Sequence, residues 1–89
     1  MVEVSFSSSF KRAFKKRIKG NVDLETRFWQ KLELFTNDPF DQSLKTHKLS
    51  EKLKELWSFS IEYDERVLLF FTDDGNAMFV DIGNHDEVY

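Results

Sequence analysis

The 89-residue sequence contains no cysteine and very little glycine or proline. The lack of cysteine excludes a disulfide framework, a thiolate metal site and a cysteine nucleophile. Three widely separated glycines exclude a glycine-rich phosphate loop. The longest apolar run is five residues, Val67–Phe71, so we expect no membrane-spanning helix and no membrane partner. Because Met1-Val2-Glu3 leads directly into alternating residues, we expect no signal peptide and one cytoplasmic domain over residues 1–89.

The sequence is rich in aromatic residues, and its charge is unevenly distributed. Ten Phe, two Trp and two Tyr provide one small aromatic core. Residues 1–20 carry six Lys or Arg against one acid, whereas residues 61–89 carry one Arg against eight acids. The basic start favours a polyanion or an acidic partner. The acidic end opposes nucleic-acid binding through overall charge, and two solvated faces of opposite sign explain the pattern equally well.

The first part of the chain predicts one short strand followed by two helices. Val2, Val4 and Phe6 alternate with polar residues, as in a strand with one buried face. Ser7–Ser9 are N-cap candidates for a first helix that Gly20 ends. Asp23 is the cap candidate for a second helix, which ends before Pro39. The apolar stripes of the two helices are Phe10, Ala13, Phe14 and Ile18, and Leu24, Phe28, Leu32 and Phe35.

The second part predicts three strands after a connecting loop. Residues 40–55 are mostly polar and predict a loop with one helical turn, although Leu49, Leu53 and Leu56 have helical spacing. Alternation then predicts strands that begin at Trp57, Arg66 and Ala77, the last two joined by a hairpin turn at 73–76. The order β-α-α-β-β-β predicts an α+β fold with two N-terminal helices packed on a small antiparallel sheet. The uncovered face of that sheet is the expected working surface.

The reactive side chains fit a metal-free reaction on RNA better than a metal site. The 2′-hydroxyl of RNA can attack the neighbouring phosphate if a base, an acid and a cation surround it. Histidine serves both proton roles, and arginine binds phosphate through its planar fork of donors. His47, His85 and Arg66 supply these groups, and Trp57 or Tyr89 supplies a stacking aromatic. Structural roles also remain open, since Arg66 has Asp64 and Glu65 as neighbours and Trp57 suits a core.

At these residues the sequence resembles toxins of the RelE superfamily. The resemblance lies in the loop Leu44–Ser50 with Leu56-Trp57-Ser58, in the strand Tyr63–Phe71 with its Y-x-x-R-V pattern, and in the ending Gly83–Tyr89, which matches G-x-H-x-x-V-Y. The start Phe6–Ala13 matches as well, so the resemblance spans nearly the whole chain. Histidine at position 85 is closer to the YafQ and YoeB branch than to RelE itself.

The resemblance implies the fold predicted above and a toxin of a type II toxin–antitoxin system. The expected activity is endoribonuclease cleavage of ribosome-bound mRNA without cofactor or metal. The expected partner is a cognate antitoxin, with operator DNA bound only by the toxin–antitoxin complex. Carried over by position, His85 matches the general acid, Arg66 the phosphate-binding arginine, His47 the loop histidine and Tyr89 the C-terminal aromatic. The expected RNA-binding residues are Lys45, Lys48 and Trp57.

Several positions depart from the family pattern and keep other functions open, among them Glu51 and Glu55, where relatives tend to carry glycine. Ser60 and Glu62 stand where relatives often carry Lys or Arg, which would neutralise RNA phosphates. Weak binding of free RNA and dependence on the ribosome follow from such a site. The alternatives are a non-enzymatic gyrase inhibitor resembling the ParE branch, and a degenerate member that only binds its antitoxin.

Overall fold

Two helices pack against one face of a five-stranded sheet in the computed structural model, which describes residues 1–49 and 55–84. The elements in chain order are β1 (Val4–Phe6), α1 (Ser8–Arg17), α2 (Val22–Asn37), a 3-10 helix (Gln42–Leu44), β2 (His47–Lys48), β3 (Trp57–Glu62), β4 (Glu65–Phe71) and β5 (Ala77–Asn84). The predicted α+β class is confirmed, together with its two helices and its four main strands. In the described ranges no helix is long and apolar enough to cross a membrane.

Helix α1 begins and ends close to the predicted positions. The Ser7 hydroxyl accepts a hydrogen bond from the backbone N–H of Phe10 at 3.0 Å, which satisfies a donor that the first helical turn leaves unpaired. The helix ends at Arg17, and Ile18 is its C-cap. Gly20 follows with a φ of 96°, a left-handed conformation that glycine adopts without steric cost. The chain therefore turns sharply between the two helices.

The N-cap of helix α2 lies two residues before the predicted cap. The Asn21 side chain, rather than that of Asp23, accepts from the backbone N–H of Leu24 at 3.2 Å. Asn21 has the extended backbone that an N-cap needs. Asp23 lies in the first turn, where its negative charge interacts favourably with the positive end of the helix dipole. The cap prediction at Asp23 was therefore wrong, although the end of the helix before Pro39 is confirmed.

The sheet order is β1-β5-β4-β3-β2, with one parallel pair at its edge. Strands β3, β4 and β5 form the predicted antiparallel meander, but β1 runs parallel to β5 and pairs Val4 with Ala77 and Phe6 with Phe79. The sheet is therefore mixed, where the sequence predicts a purely antiparallel one. The helices carry the chain away from β1 before the meander begins, and such a crossover, unlike a hairpin, allows parallel pairing.

The segment predicted as a connecting loop contributes a 3-10 helix and the short strand β2. The 3-10 helix accounts for the single helical turn expected there. Strand β2 pairs His47 with Ser58 and Lys48 with Trp57. The helical spacing of Leu49, Leu53 and Leu56 involves residues outside the described ranges.

The core lies between the helices and one face of the sheet. Phe35 of α2 stacks on Phe59 of β3, with ring centroids 4.9 Å apart, and Phe79 of β5 lies 5.5 Å from each of them. All three rings are fully buried. Side chains alternate between the two faces of a strand. Ser60 follows the core residue Phe59, and Arg66 precedes the core residue Val67, so both lie on the opposite, outer face of the sheet.

Candidate functional site

Arg66 lies on the outer face of the sheet and is held there by β3. It precedes the fully buried core residue Val67 and is paired in register with Ser60. Its Nη1 donates to the Ser60 hydroxyl at 2.6 Å and to the Glu62 carbonyl at 3.3 Å. Both of these bonds use one nitrogen of the guanidinium. Among residues 1–49 and 55–84, the other terminal nitrogen and Nε have no hydrogen-bond partner, so they are available to an anion.

Glu65, which precedes Arg66 on β4, and Glu62, the register partner of Glu65 on β3, each interact with an arginine of the helices. Glu65 of β4 receives three hydrogen bonds from Arg17 of α1, of 2.7 to 3.0 Å. Glu62 of β3 lies 3.4 Å from Arg27 of α2. The sequence offers Asp64 and Glu65 as ion-pair partners of Arg66, and Glu65 is instead paired with Arg17. Within the described ranges no carboxylate forms an ion pair with Arg66.

A cleft of about 480 Å³ opens beside Arg66, at the end of β3 that β2 does not cover. We call this the basic cleft. It is lined by Lys31 of α2, Ser43 and Lys45 after α2, Ser60 and Arg66 on the outer face, and residues 61–64 at the end of β3 and in the turn that follows it. Its volume is in the range of small-ligand sites. Three cations from three different elements thus meet around one space.

Lys45 reaches the basic cleft because of the backbone turn that ends the 3-10 helix. Asp41 caps that helix by accepting from the Ser43 backbone N–H at 2.9 Å and from its hydroxyl at 2.8 Å. These bonds, the backbone one first, hold the pKa of Asp41 below its usual value, and the nearby Lys31 ammonium adds to the effect. Lys45 then adopts a left-handed φ of 54°. The predicted RNA-binding position Lys45 therefore lies beside Arg66.

His47 lies on the same side of the sheet as Arg66 but on the outermost strand. It is paired with Ser58, two residues before Ser60 on β3. At about 3.4 Å per residue and about 4.8 Å per strand, the backbones of His47 and Arg66 are roughly 12 Å apart. Its Nδ1 lies 3.0 Å from the Lys45 carbonyl. A carbonyl only accepts, so Nδ1 carries the proton and Nε2 is the basic nitrogen of the neutral ring.

Trp57 and Lys48 are not brought to the basic cleft. Trp57 packs at the core side of the sheet, with its ring 5.5 Å from both Phe40 and Phe71. Lys48 is exposed and paired in register with Trp57, so it also lies on the side away from Arg66. The role of Trp57 as a packing residue, which the sequence left open, agrees with these contacts better than an RNA-binding role does.

Two predicted catalytic residues, His85 and Tyr89, lie outside the described ranges. The last described residue, Asn84, is paired with Glu65, and Gly83 is paired with Arg66. The chain therefore reaches position 84 next to the strand that carries Arg66.

Lys31 is the cleft residue that the sequence analysis missed. It lies on α2 between the buried stripe residues Phe28 and Phe35, and its side chain is half-buried. From the sequence alone it resembles any lysine that flanks an apolar helix stripe. Only the packing of α2 beside β3 brings it to the basic cleft.

The fold of this chain is similar to those of solved toxin structures. No protein-family model and no curated protein sequence matches the chain. Among solved structures, a copper-bound mutant toxin from Helicobacter pylori is similar over 100% of both chains, with a TM-score of 0.77 and 24% identity. A YoeB/ParE toxin from Agrobacterium tumefaciens has a TM-score of 0.78 and 12% identity, with 94% of this chain and 99% of that chain covered. The DinJ–YafQ toxin–antitoxin complex from E. coli has a TM-score of 0.73 and 18% identity, with 99% and 97% covered.

Proposed function

We propose that this chain, which has the fold of RelE-superfamily toxins, is the toxin of a type II toxin–antitoxin system. We propose further that it cleaves ribosome-bound mRNA in the cytoplasm by metal-free acid–base chemistry. The observation that carries the proposal is the state of Arg66, which is fixed by Ser60 at the basic cleft and, among the described residues, is unpaired with any carboxylate. A guanidinium in that state is suited to bind a phosphodiester.

Arg66 contributes most where charge develops in the reaction. As the 2′-oxygen attacks the phosphorus, negative charge accumulates on the non-bridging phosphate oxygens. Nη2 and Nε of Arg66 form a planar pair of donors that can bind those oxygens while Nη1 stays bonded to Ser60. A donor placed before the reaction needs no reorganisation when the charge appears, and one such donor is typically worth ~10²–10³ in rate.

The two histidines would carry the protons. His47 would use Nε2 to remove the proton of the 2′-hydroxyl, since its Nδ1 is bonded to Lys45. The 2′-oxygen then bonds to phosphorus, the bond from phosphorus to the 5′-oxygen breaks, and His85 would protonate that leaving oxygen. The products are a 2′,3′-cyclic phosphate and a 5′-hydroxyl end. The imidazole ring can both accept and donate a proton, so a histidine suits either transfer.

The ribosome would supply what the chain lacks in charge. The net charge of −3 and the acidic turn beside the basic cleft disfavour long-range attraction of free RNA. An mRNA already held in position needs only local contacts with Arg66 and its neighbours. Holding the reacting groups in place removes much of the entropic cost of the reaction.

A second surface suits an antitoxin. Helices α1 and α2 enclose an apolar hollow of about 190 Å³ with β1, lined by Phe6, Phe10, Lys11, Phe14, Phe28 and Trp29. Trp29 is 45% exposed. The exposed Lys11 lines the hollow on α1, and the exposed Lys15 follows one helical turn later. An acidic amphipathic helix of the antitoxin would insert an apolar side chain here and place its carboxylates against these lysines. Lys11→Glu should weaken co-purification with the product of an adjacent reading frame, and Lys48→Glu is the control.

The function is tested by expression of the chain without any partner. Growth, cleavage of a defined mRNA in a reconstituted translation system and gyrase supercoiling are measured together. The proposal expects growth arrest, mRNA cleavage that requires ribosomes, and unchanged supercoiling. Inhibited supercoiling with intact mRNA would instead support the gyrase-inhibitor alternative, and harmless expression would support a degenerate member.

A further inference from the structure

Helix α2 contributes a cation to the basic cleft from outside the sheet. Lys31 lines the same space as Arg66 and Lys45. It belongs to α2, the helix whose buried residues Leu24, Phe28 and Phe35 cover the core. Lys31, Arg66 and Lys45 therefore add positive charge to one space. An anion that enters this space is attracted by all three charges.

The nearby acids reduce this positive charge only in part. Glu62 is drawn toward Arg27, one helical turn before Lys31 on α2. The charge of Lys31 contributes to the lowered pKa of Asp41, but less than the two hydrogen bonds that Asp41 accepts from Ser43. Asp64 lines the basic cleft at the turn. With Glu62 paired to Arg27, three cations face one remaining carboxylate, that of Asp64, among the described residues of the lining.

The three cations differ in the geometry that they offer to an anion. Arg66 is fixed by its bonds to β3 and presents a planar fork. Lys31 and Lys45 carry compact ammonium groups on flexible stems, which bind phosphate as point charges with little demand on orientation. A single anion on Arg66 would not occupy a cleft of about 480 Å³. The space fits a longer polyanion that crosses from Arg66 toward α2.

We propose that Lys31 binds a backbone phosphate of single-stranded RNA next to the phosphate held by Arg66. Lys31 is then a substrate-binding residue that replaces, from a helix, the positive charge that Ser60 and Glu62 do not provide on the strand. The inference rests on the proposed nuclease function for its substrate. It predicts that Lys31 affects how tightly RNA is held and leaves the chemical step unchanged.

The direct test is binding of a fluorescein-labelled, fully 2′-O-methylated RNA oligonucleotide, which cannot be cleaved through a 2′-hydroxyl. Anisotropy titrations at 50–200 mM salt compare the wild type with Lys31→Gln, Lys31→Arg and Lys16→Gln, where Lys16 is an exposed lysine of α1. Removal of one phosphate contact should weaken binding about threefold to fivefold at the lowest salt and reduce the salt slope by ~0.7. Lys31→Arg and Lys16→Gln should bind like the wild type.

Cleavage kinetics on ribosomes give a second, independent measurement. Lys31→Gln should raise KM with an unchanged kcat, the pattern of an interaction made equally in ground and transition states. Equal oligonucleotide affinity and salt slope for Lys31→Gln and the wild type would overturn the inference and leave the nuclease proposal intact. An absence of wild-type binding at 50 mM salt would overturn it as well. Weakened binding by Lys31→Gln in a chain that cleaves no mRNA would retain the RNA site and reject the nuclease.

Discussion

Arg66 on β4 donates a 2.6 Å hydrogen bond to the hydroxyl of Ser60, its register partner on β3. Ser60 is itself only 8% exposed, so this bond is shielded from water and holds the guanidinium at one angle. A lysine at position 60 would repel Arg66, whereas the serine hydroxyl accepts a hydrogen bond from it. Ser60 is therefore a positioning residue for Arg66.

Ser60→Ala should lower kcat for mRNA cleavage about tenfold. The physical reason is the loss of a hydrogen bond to a charged group, typically ~1.5–3 kcal/mol, which leaves Arg66 free to adopt other rotamers. Ser60→Thr keeps the hydroxyl and should restore most of the activity. If alanine and threonine at this position have equal activity, Ser60 does not position Arg66.

Phe35→Ala should destabilise the fold by about 3–5 kcal/mol, because it removes a fully buried ring from the centre of the core. Chemical denaturation monitored by circular dichroism measures this free energy of unfolding. Tyr63→Ala is the matched control, since Tyr63 is 94% exposed and should change stability by less than about 0.5 kcal/mol. A small effect at Phe35 would contradict the described packing.

Stability should decline below about pH 4 in part through Asp41. Its pKa in the folded chain is below the ordinary 3.8, chiefly because of the bond from the Ser43 backbone. A lowered pKa stabilises the fold above the unfolded value, and this contribution disappears as pH falls through the folded value. Asp41→Asn should therefore flatten the pH dependence of the melting temperature between about pH 4 and pH 2. An identical acid profile for both proteins would rule out this contribution.

Local sequence patterns predicted most of the fold. The period of Phe10, Phe14 and Ile18 and the alternation around Phe59 follow from which side chains must be buried. The parallel pairing of Val4 with Ala77 did not follow, because it depends on a crossover between residues more than 70 positions apart. Asn21 displaced Asp23 as a cap because both residue types satisfy the same cap preference.

The candidate site was less accessible to sequence reasoning. Arg66 was selected by its chemistry as well as by the resemblance, and Lys45 was an expected RNA-binding residue. Both line the basic cleft. Nothing in the sequence distinguishes Lys31 as a site residue, since a charged residue beside an apolar stripe is typical of any surface helix. Trp57 was ambiguous because an aromatic in a strand fits either a core or a stacking platform, and its contacts with Phe40 and Phe71 favour the packing role. The roles of His85 and Tyr89 stay predictions.

The most direct test of the account is the rate of mRNA cleavage by Arg66→Gln on programmed ribosomes in single-turnover conditions. Arg12→Gln is the control, because Arg12 is exposed on α1 and lies outside the basic cleft. Arg66→Gln should keep the wild-type circular dichroism spectrum and cleave at least about a hundredfold more slowly, while Arg12→Gln cleaves at the wild-type rate. Cleavage by Arg66→Gln at the wild-type rate would contradict the assignment of the scissile phosphate to the basic cleft.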